Sequence, residues 1–263
     1  MLRRLVVIVV AVLWLVVVAG LSIAQDAKPW ERQGTKAGAE IIGPDGGKMV
    51  WVPAGEFYMG AADLGQTVHH VRITKGFWLS KCTVTNAQYR SYCQGAGAEF
   101  PKESDQADNH PVIGVTWIET EAYSNHYGLS LPTEAQWEYA ARGPQARQYP
   151  WGNEWDPKKC CNWSNRGPGD KTFPVGSFPP GASWCGALDM AGNVFQWCQD
   201  WYSDAYYANS PDADPSGPDN GEARVQRGGS WYGDSSTCRS AGRSSNDPTY
   251  RFNDFGFRCS RTP

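Results

Sequence analysis

The groups in this chain that could carry chemistry are eight cysteines, a serine on a double-glycine turn, and a loop in which a carboxylate and amides alternate with glycine. The cysteines are Cys82, Cys93, Cys160, Cys161, Cys185, Cys198, Cys238 and Cys259. In an exported chain an even count permits up to four disulfides, with connectivity open. None forms a Cys-x-x-Cys pair or a His/Cys spacing suited to zinc. Cys160 and Cys161 are adjacent, so they are expected to bond to different partners, and a pairing of Cys238 with Cys259 is one of the alternatives. Ser230 follows Gly228-Gly229 and precedes Trp231. Paired glycines beside a large aromatic mark positive φ or a close approach. Ser230 then has two open roles, bonding local backbone or facing a cleft. No Gly-x-Ser-x-Gly elbow supports a hydrolase, and Asp200 and Asp204 lack a glycosidase context. His69 and His70 are adjacent while His110 and His126 are isolated, the pattern of surface or core histidines.

These groups must be positioned by short elements. Met49-Val50-Trp51-Val52-Pro53 and Gly55-Glu56-Phe57-Tyr58-Met59-Gly60 predict two strands about a turn. Residues 69–73 predict a third strand, which residues 76–80 continue. Thr85 is placed to cap a helix over 86–93, and a second helix is expected over 117–127. Thr133 caps a third, with Gln136 completing a capping box and Gly143 at its C-terminal end. From 144 to 218 turn chemistry dominates, and so long an irregular stretch needs fastening by disulfides or a metal ion.

Thirteen Trp, 12 Tyr, 29 Gly and 18 Pro, with 19% charged residues, describe one loop-rich α+β globule held by aromatic packing. The formal charge of −3, more negative once Arg3 and Arg4 are removed, argues against nucleic acid as a partner. Met1-Leu2-Arg3-Arg4, an apolar run over 5–20 and a small-x-Ala site ending at Ala24 describe a signal peptide, or an uncleaved anchor, over 1–24. Either way the folded part is exported, and any membrane contact is through that segment. Residues 25–47 are expected to be a linker and 48–263 the domain.

Several motifs occur in one order: Trp51-Val52-Pro53-Ala54-Gly55-Glu56-Phe57-Tyr58-Met59-Gly60, Val84-Thr85-Asn86-Ala87-Gln88-Tyr89, Leu131-Pro132-Thr133-Glu134-Ala135-Gln136-Trp137-Glu138-Tyr139, Tyr149-Pro150-Trp151-Gly152, Asp189-Met190-Ala191-Gly192-Asn193-Val194, and the Gly228-Gly229-Ser230 tail. Together they resemble the formylglycine-generating enzyme family, the sulfatase-modifying factors, over roughly residues 48 to 261. The resemblance implies a single compact domain related to the C-type lectin fold, poor in regular secondary structure and often binding calcium. It also implies copper-assisted, oxygen-dependent conversion of a sulfatase cysteine into formylglycine, by two cysteines soon after the Gly-Gly-Ser motif. This chain departs there. Gly233 stands at the first cysteine position and only Cys238 remains, which removes half of a two-thiolate copper site.

For calcium the resemblance implies one set from the side chains of Asp189 and Gln196 with the carbonyls of Gly192 and Val194. A second set comprises Asn162, the Trp163 carbonyl and Asp170. Gln196 stands where an acidic residue is common, which lowers the ligand charge. Asx-turn chemistry accounts equally for both segments. Two functions follow. One is oxidative maturation of a protein or peptide substrate by altered chemistry, with Cys238 and Ser230 as the catalytic candidates. The other is a non-catalytic, calcium-stabilised module binding a peptide or glycan, with Trp231, Tyr232, Arg243 and Arg251 lining a cleft.

Overall fold

The computed structural model describes residues 27–169 and 171–263; the expected leader over 1–24 lies outside the described residues, as does Asp170. Among the described residues no helix is long and apolar enough to cross a membrane. The fold is α+β, built from three small sheets and three main helices. The first sheet has strand order β1-β2-β5-β10, from Glu40–Ile42, Lys48–Val52, Phe77–Ser80 and Ser260–Arg261. β3 (Gly55–Met59) and β4 (His69–Ile73) form an antiparallel pair. The third sheet, in the order β8-β7-β6-β9, comprises Arg243–Asn246, Arg224–Arg227, Phe195–Trp201 and Phe255–Phe257, with β6 and β9 parallel.

The helices start where the sequence says they should. α1 (Asn86–Ala96), α2 (Trp117–His126) and α3 (Glu134–Arg142) each open with a threonine whose hydroxyl accepts the third backbone N–H, while Gln88, Glu119 or Gln136 reaches back to the cap. This reciprocal pairing satisfies donors that a helix end otherwise leaves without partners. Gly143 follows α3 with φ 67°. A short fourth helix, α4, spans Tyr206–Asn209.

Two expectations about the elements need correction. Residues 76–80 do not continue the third strand: β5 leaves the β3–β4 pair and joins β2, with Val50 opposite Leu79. Part of the expected linker belongs to the fold, because β1 pairs Ile41 with Met49, and Trp30 and Ile41 pack on the aromatic core. Apolar side chains before Met49 thus lose part of their contact with water, which is what makes them part of the domain.

The core has two main parts. One packs β2–β5 against α3 and β6–β7 around Trp137, Tyr139 and Met190. The other is aromatic, with Tyr89 stacked on Tyr123 at 5.6 Å and Phe257 edge-on to Tyr123 at 5.1 Å. The polar interior is the less ordinary feature. Glu134 and Glu138, one turn apart on α3, are both buried, and the fully buried Arg227 of β7 bridges them at 2.8 and 2.6 Å. Arg243 grips Glu134 with two bonds, at 2.7 and 2.9 Å. Arg142 meets Glu138 at 2.7 Å and donates to the Gly60 carbonyl. Burial alone would raise Glu134, but Arg243 and Arg227 hold its carboxyl below the usual range. Removing one member of such a set leaves an uncompensated buried charge. The variant Glu138→Ala should therefore lose about 3–5 kcal/mol of stability, read from urea unfolding.

Asp200 faces the same cluster and accepts the Glu134 N–H at 2.8 Å. Burial, and then the charge of Glu134, push its carboxyl up to about 8. An unfolded aspartate titrates near 4, so between roughly pH 4 and 8 the native state holds a proton that the unfolded chain has released, and stability falls as pH rises through that window. Asp200→Asn keeps the acceptor and removes the titration. The variant should lose a negative slope of at most about 1.4 kcal/mol per pH unit relative to wild type, measured as unfolding midpoints between pH 5 and 9.

Candidate functional site

The Gly-Gly-Ser turn is fixed by backbone geometry that side chains rarely tolerate. Gly228 and Gly229 have φ 95° and 71°. A Cβ on Gly229 would stand 2.9 Å from the Thr237 carbonyl oxygen, so the close approach also demands glycine. The turn is bonded to the loop before β6, because Gly192 donates to the Gly228 carbonyl at 2.7 Å and Trp231 donates to that of Asn193 at 3.0 Å. Asn193, itself at φ 65°, pairs its side-chain amide with both backbone groups of Phe173.

Ser230 is buried and donates to Asp254 at 2.8 Å, while accepting the Tyr232 N–H at 3.3 Å. Burial raises the Asp254 carboxyl above its usual range. Of the Ser230 contacts the one from Tyr232 is local backbone, while the one to Asp254 reaches a side chain 24 residues along the chain. Asp254, absent from the candidates, is the residue that orients it. The run Phe252-Asn253-Asp254-Phe255 carries turn chemistry but no signal that pairs it with a serine.

Beside the turn the surface is aromatic and open. Trp163 and Tyr232, 49% and 60% exposed, meet edge-on at 4.7 Å, with the Arg166 guanidinium 4.2 Å from the Trp163 ring. Trp231 lies inward of Tyr232 and donates to the Asn253 carbonyl at 3.3 Å. It borders a cleft of about 390 Å³ whose other walls include Lys102, Glu103, Asp105, Lys171 and Asn253. Lys171 and Asp105 pair at 2.9 Å within it, so both signs of charge are present. A separate cavity of about 320 Å³, between β2, β5 and the start of α1, contains none of the turn residues.

The other cleft candidates lie elsewhere. Arg243 borders a further cleft, but its guanidinium is committed to Glu134. Arg251 donates to Glu119 at 3.1 Å and to the Gly114 carbonyl. Of the four, Trp231 lines the cleft beside the turn, and Tyr232 meets its ring from the exposed surface. Trp163, singled out for its carbonyl, contributes its ring instead.

Copper does not fit at this turn. Gly233 offers no thiol, and an added Cβ there would lie 2.3 Å from the Thr237 hydroxyl. Cys238 is fully buried, so an incoming thiol has no open approach to it. Contact with Cys160 and burial raise the Cys238 thiol well above its ordinary value, against the thiolate that a soft metal needs. The expected disulfides are not shown: the structure has no sulfur–sulfur bond among the eight cysteines. Cys238 and Cys259 occupy different core clusters, Cys259 beside Ser124 at 3.5 Å and Cys238 with Cys160.

Calcium does not fit the first ligand set. The Gln196 side-chain oxygen accepts from Trp137 at 2.8 Å and from Arg258 at 2.7 Å, and its amide donates to the Asp189 carbonyl at 2.7 Å. Trp and Arg nitrogens can only donate, so the orientation of the amide is fixed and both oxygen lone pairs are occupied. The buried Arg258 guanidinium also donates to the carbonyls of Leu188 and Asp189, supplying the positive charge itself. The Gly192 carbonyl accepts from Val194, and the Asp189 carboxylate from Gly176 at 2.7 Å. In the second set Asn162 makes an Asx turn, accepting from Ser164 and donating to the Pro157 and Cys160 carbonyls.

Comparison with known proteins agrees with this architecture. The family described as Sulfatase-modifying factor enzyme 1-like domain matches residues 41–263. The formylglycine-generating enzyme of Streptomyces coelicolor is 36% identical over 279 residues, covering 80% of this chain and 88% of that protein. Among solved structures, PvdO from Pseudomonas aeruginosa is 27% identical with a TM-score of 0.77, covering 88% of this chain and 100% of its own. Treponema denticola variable protein 1 is 25% identical with a TM-score of 0.72, over 82% of this chain and 95% of that one.

The hydrogen bonds of Gln196 predict its response to charge. Gln196→Glu would set a carboxylate oxygen against the Asp189 carbonyl, a repulsion that a cation could relieve. Wild-type melting should be unmoved by EDTA, whereas the glutamate variant should melt several degrees lower and recover in millimolar calcium. A wild-type protein that melts lower in EDTA would contradict the metal-free wiring.

Proposed function

The chain belongs to the sulfatase-modifying factor family, and on that premise we propose that it holds an extended peptide segment of an exported partner protein during that partner's maturation, without thiol–copper oxidation at the Gly-Gly-Ser turn. One observation carries this reading. At the turn where the family's reaction would take place, the exposed surface offers aromatic rings and paired charges, and the Cys238 thiol is buried.

Trp163 and Tyr232 supply rigid contact area at low entropic cost, and such rings tend to dominate binding energy. Lys102, Lys171, Glu103 and Asp105 supply donors and acceptors to a peptide main chain and to side chains of either sign. Ser230 and Asp254 keep the turn rigid beneath the rings. Chemistry performed on a bound segment would then come from a partner, and this chain would present the segment. The Gln196 oxygen is bonded twice within the protein, which supports a presentation that does not rely on calcium at the first ligand set.

Incubated with a Cys-x-Pro-x-Arg peptide, oxygen and copper, the purified protein should leave the peptide's mass unchanged. On an array of extended peptides and glycans, saturable binding should fall on peptides. Trp163→Ala and Tyr232→Ala should each weaken that binding about tenfold or more, near 1.4 kcal/mol, with melting within about 2 °C of wild type. Conversion of the cysteine to formylglycine, or saturable binding confined to glycans, would overturn the reading.

A further inference from the structure

The thiols of this chain differ in what they face. Cys82 bonds the Asp189 carboxyl, Cys161 the Lys171 carbonyl at 3.9 Å, Cys185 the Ser183 hydroxyl at 3.3 Å, Cys198 the Gln196 carbonyl at 3.9 Å and Cys259 the Ser124 hydroxyl. Cys238 faces another thiol, that of Cys160. The two pack with Ala191 into a small cluster closed by Trp151 and Trp155. Neither is open to solvent, at 0% and 2% exposure.

Their location gives the pair a purpose. Cys238 lies directly behind the Gly-Gly-Ser turn, its Sγ 3.1 Å from where a Gly229 Cβ would stand. Cys160 opens the loop that carries Trp163. That loop reaches the turn by noncovalent contacts alone: Trp163 donates to the Gly233 carbonyl at 2.7 Å, Asn193 donates to that of Cys161 at 2.9 Å, and the Trp163 and Tyr232 rings touch. A covalent link here would join the two segments that make the aromatic wall.

We propose that Cys160 and Cys238 form a redox latch, closed by a small disulfide oxidant such as oxidised glutathione, which ties the Trp163 loop to the Gly-Gly-Ser turn. One thiol, as its thiolate, attacks a sulfur of the oxidant and expels one reduced thiol, leaving a mixed disulfide. The second thiolate attacks the protein sulfur of that bond and expels the other half. The protein loses two electrons and two protons, and the oxidant leaves as two thiols. Because both sulfurs are buried, exchange needs the loop around residues 157–165 to open, so the latch closes slowly in the native protein and faster in mild denaturant. The bond closes a chain segment of roughly 80 residues, long enough for a sizeable constraint on the unfolded state. The latch stands independently of the peptide-binding reading, since it concerns stability and sulfur chemistry alone.

The full chain, reduced and then treated with oxidised glutathione in 1–2 M urea (an approximate range set to open loops without unfolding the domain), is mapped by differential alkylation and tandem mass spectrometry. The fragmentation distinguishes Cys160 from Cys161. A Cys160–Cys238 cross-linked peptide should accumulate, and the oxidised protein should melt about 5 °C or more above the reduced one, reversibly with dithiothreitol. The double variant C160S/C238S should show no such shift. The wild-type cross-link needs no variant to fold, so the proposal is testable even if that protein is poorly made. Both thiols remaining alkylatable after oxidation, Cys238 joined to a different cysteine, or a cross-link that leaves melting unchanged would each overturn the latch.

Discussion

The structure depends on one buried electrostatic arrangement: two glutamates on one face of α3 held by arginines from distant strands. Glu134 and Glu138 would each be costly to bury alone. Arg227 reaches both, from 93 and 89 positions along the chain, and donates as well to the Ser240 carbonyl just before the β8 segment. Because Gly60 and Arg142 also bond Glu138, the set ties together β3, α3, β7 and the start of β8. An apolar core could hold the same elements, but without the directionality of a two-pronged guanidinium on a carboxylate. For a chain so poor in regular secondary structure, that directionality sets which loop lies against which.

Arg258 does the same for the other half of the domain. Its guanidinium takes up the Gln196 oxygen and carbonyls from residues 80, 81, 188 and 189. Irregular backbone leaves carbonyls without ladder partners, and these must be satisfied when buried. A calcium ion is one way to gather such oxygens; a guanidinium with an amide beside it is another. Gln196 suits the second solution, since its oxygen takes two donors and its nitrogen supplies one.

Sequence reading went furthest where the physics is local. The three helix starts were legible because a threonine and a Gln or Glu three residues later complete their own bonds. The order of the family's motifs made the fold legible as a whole. What failed was nonlocal. Nothing in residues 76–80 says that they pair with β2 rather than extend β4, because register depends on the partner strand. Glu134 and Glu138, four apart on a helix, fit a solvated face equally well until Arg227 is folded onto them. Arg243 looked free to meet a ligand for the same reason. At the candidate site Trp231 and Tyr232 were legible from their place after the glycines, whereas Asp254 was not, because a serine–carboxylate pair 24 residues apart has no local signature.

This division bears on how a shared scaffold acquires different chemistry. The bonds that fix the Gly-Gly-Ser turn run through backbone and buried groups: Gly192, Asn193, Asp254 and the arginine clusters behind them. None of them requires a thiol at position 233 or a metal at Gln196. A turn held in this way keeps its shape when the reactive side chain on it is exchanged, so membership of the family fixes the cleft's position more firmly than its reaction. Here exposed rings stand at 163 and 232, and the Cys238 thiol is buried. An oxidation at this turn would need a reactive group that the surrounding bonds do not supply, whereas recognition needs only the rigidity that they provide.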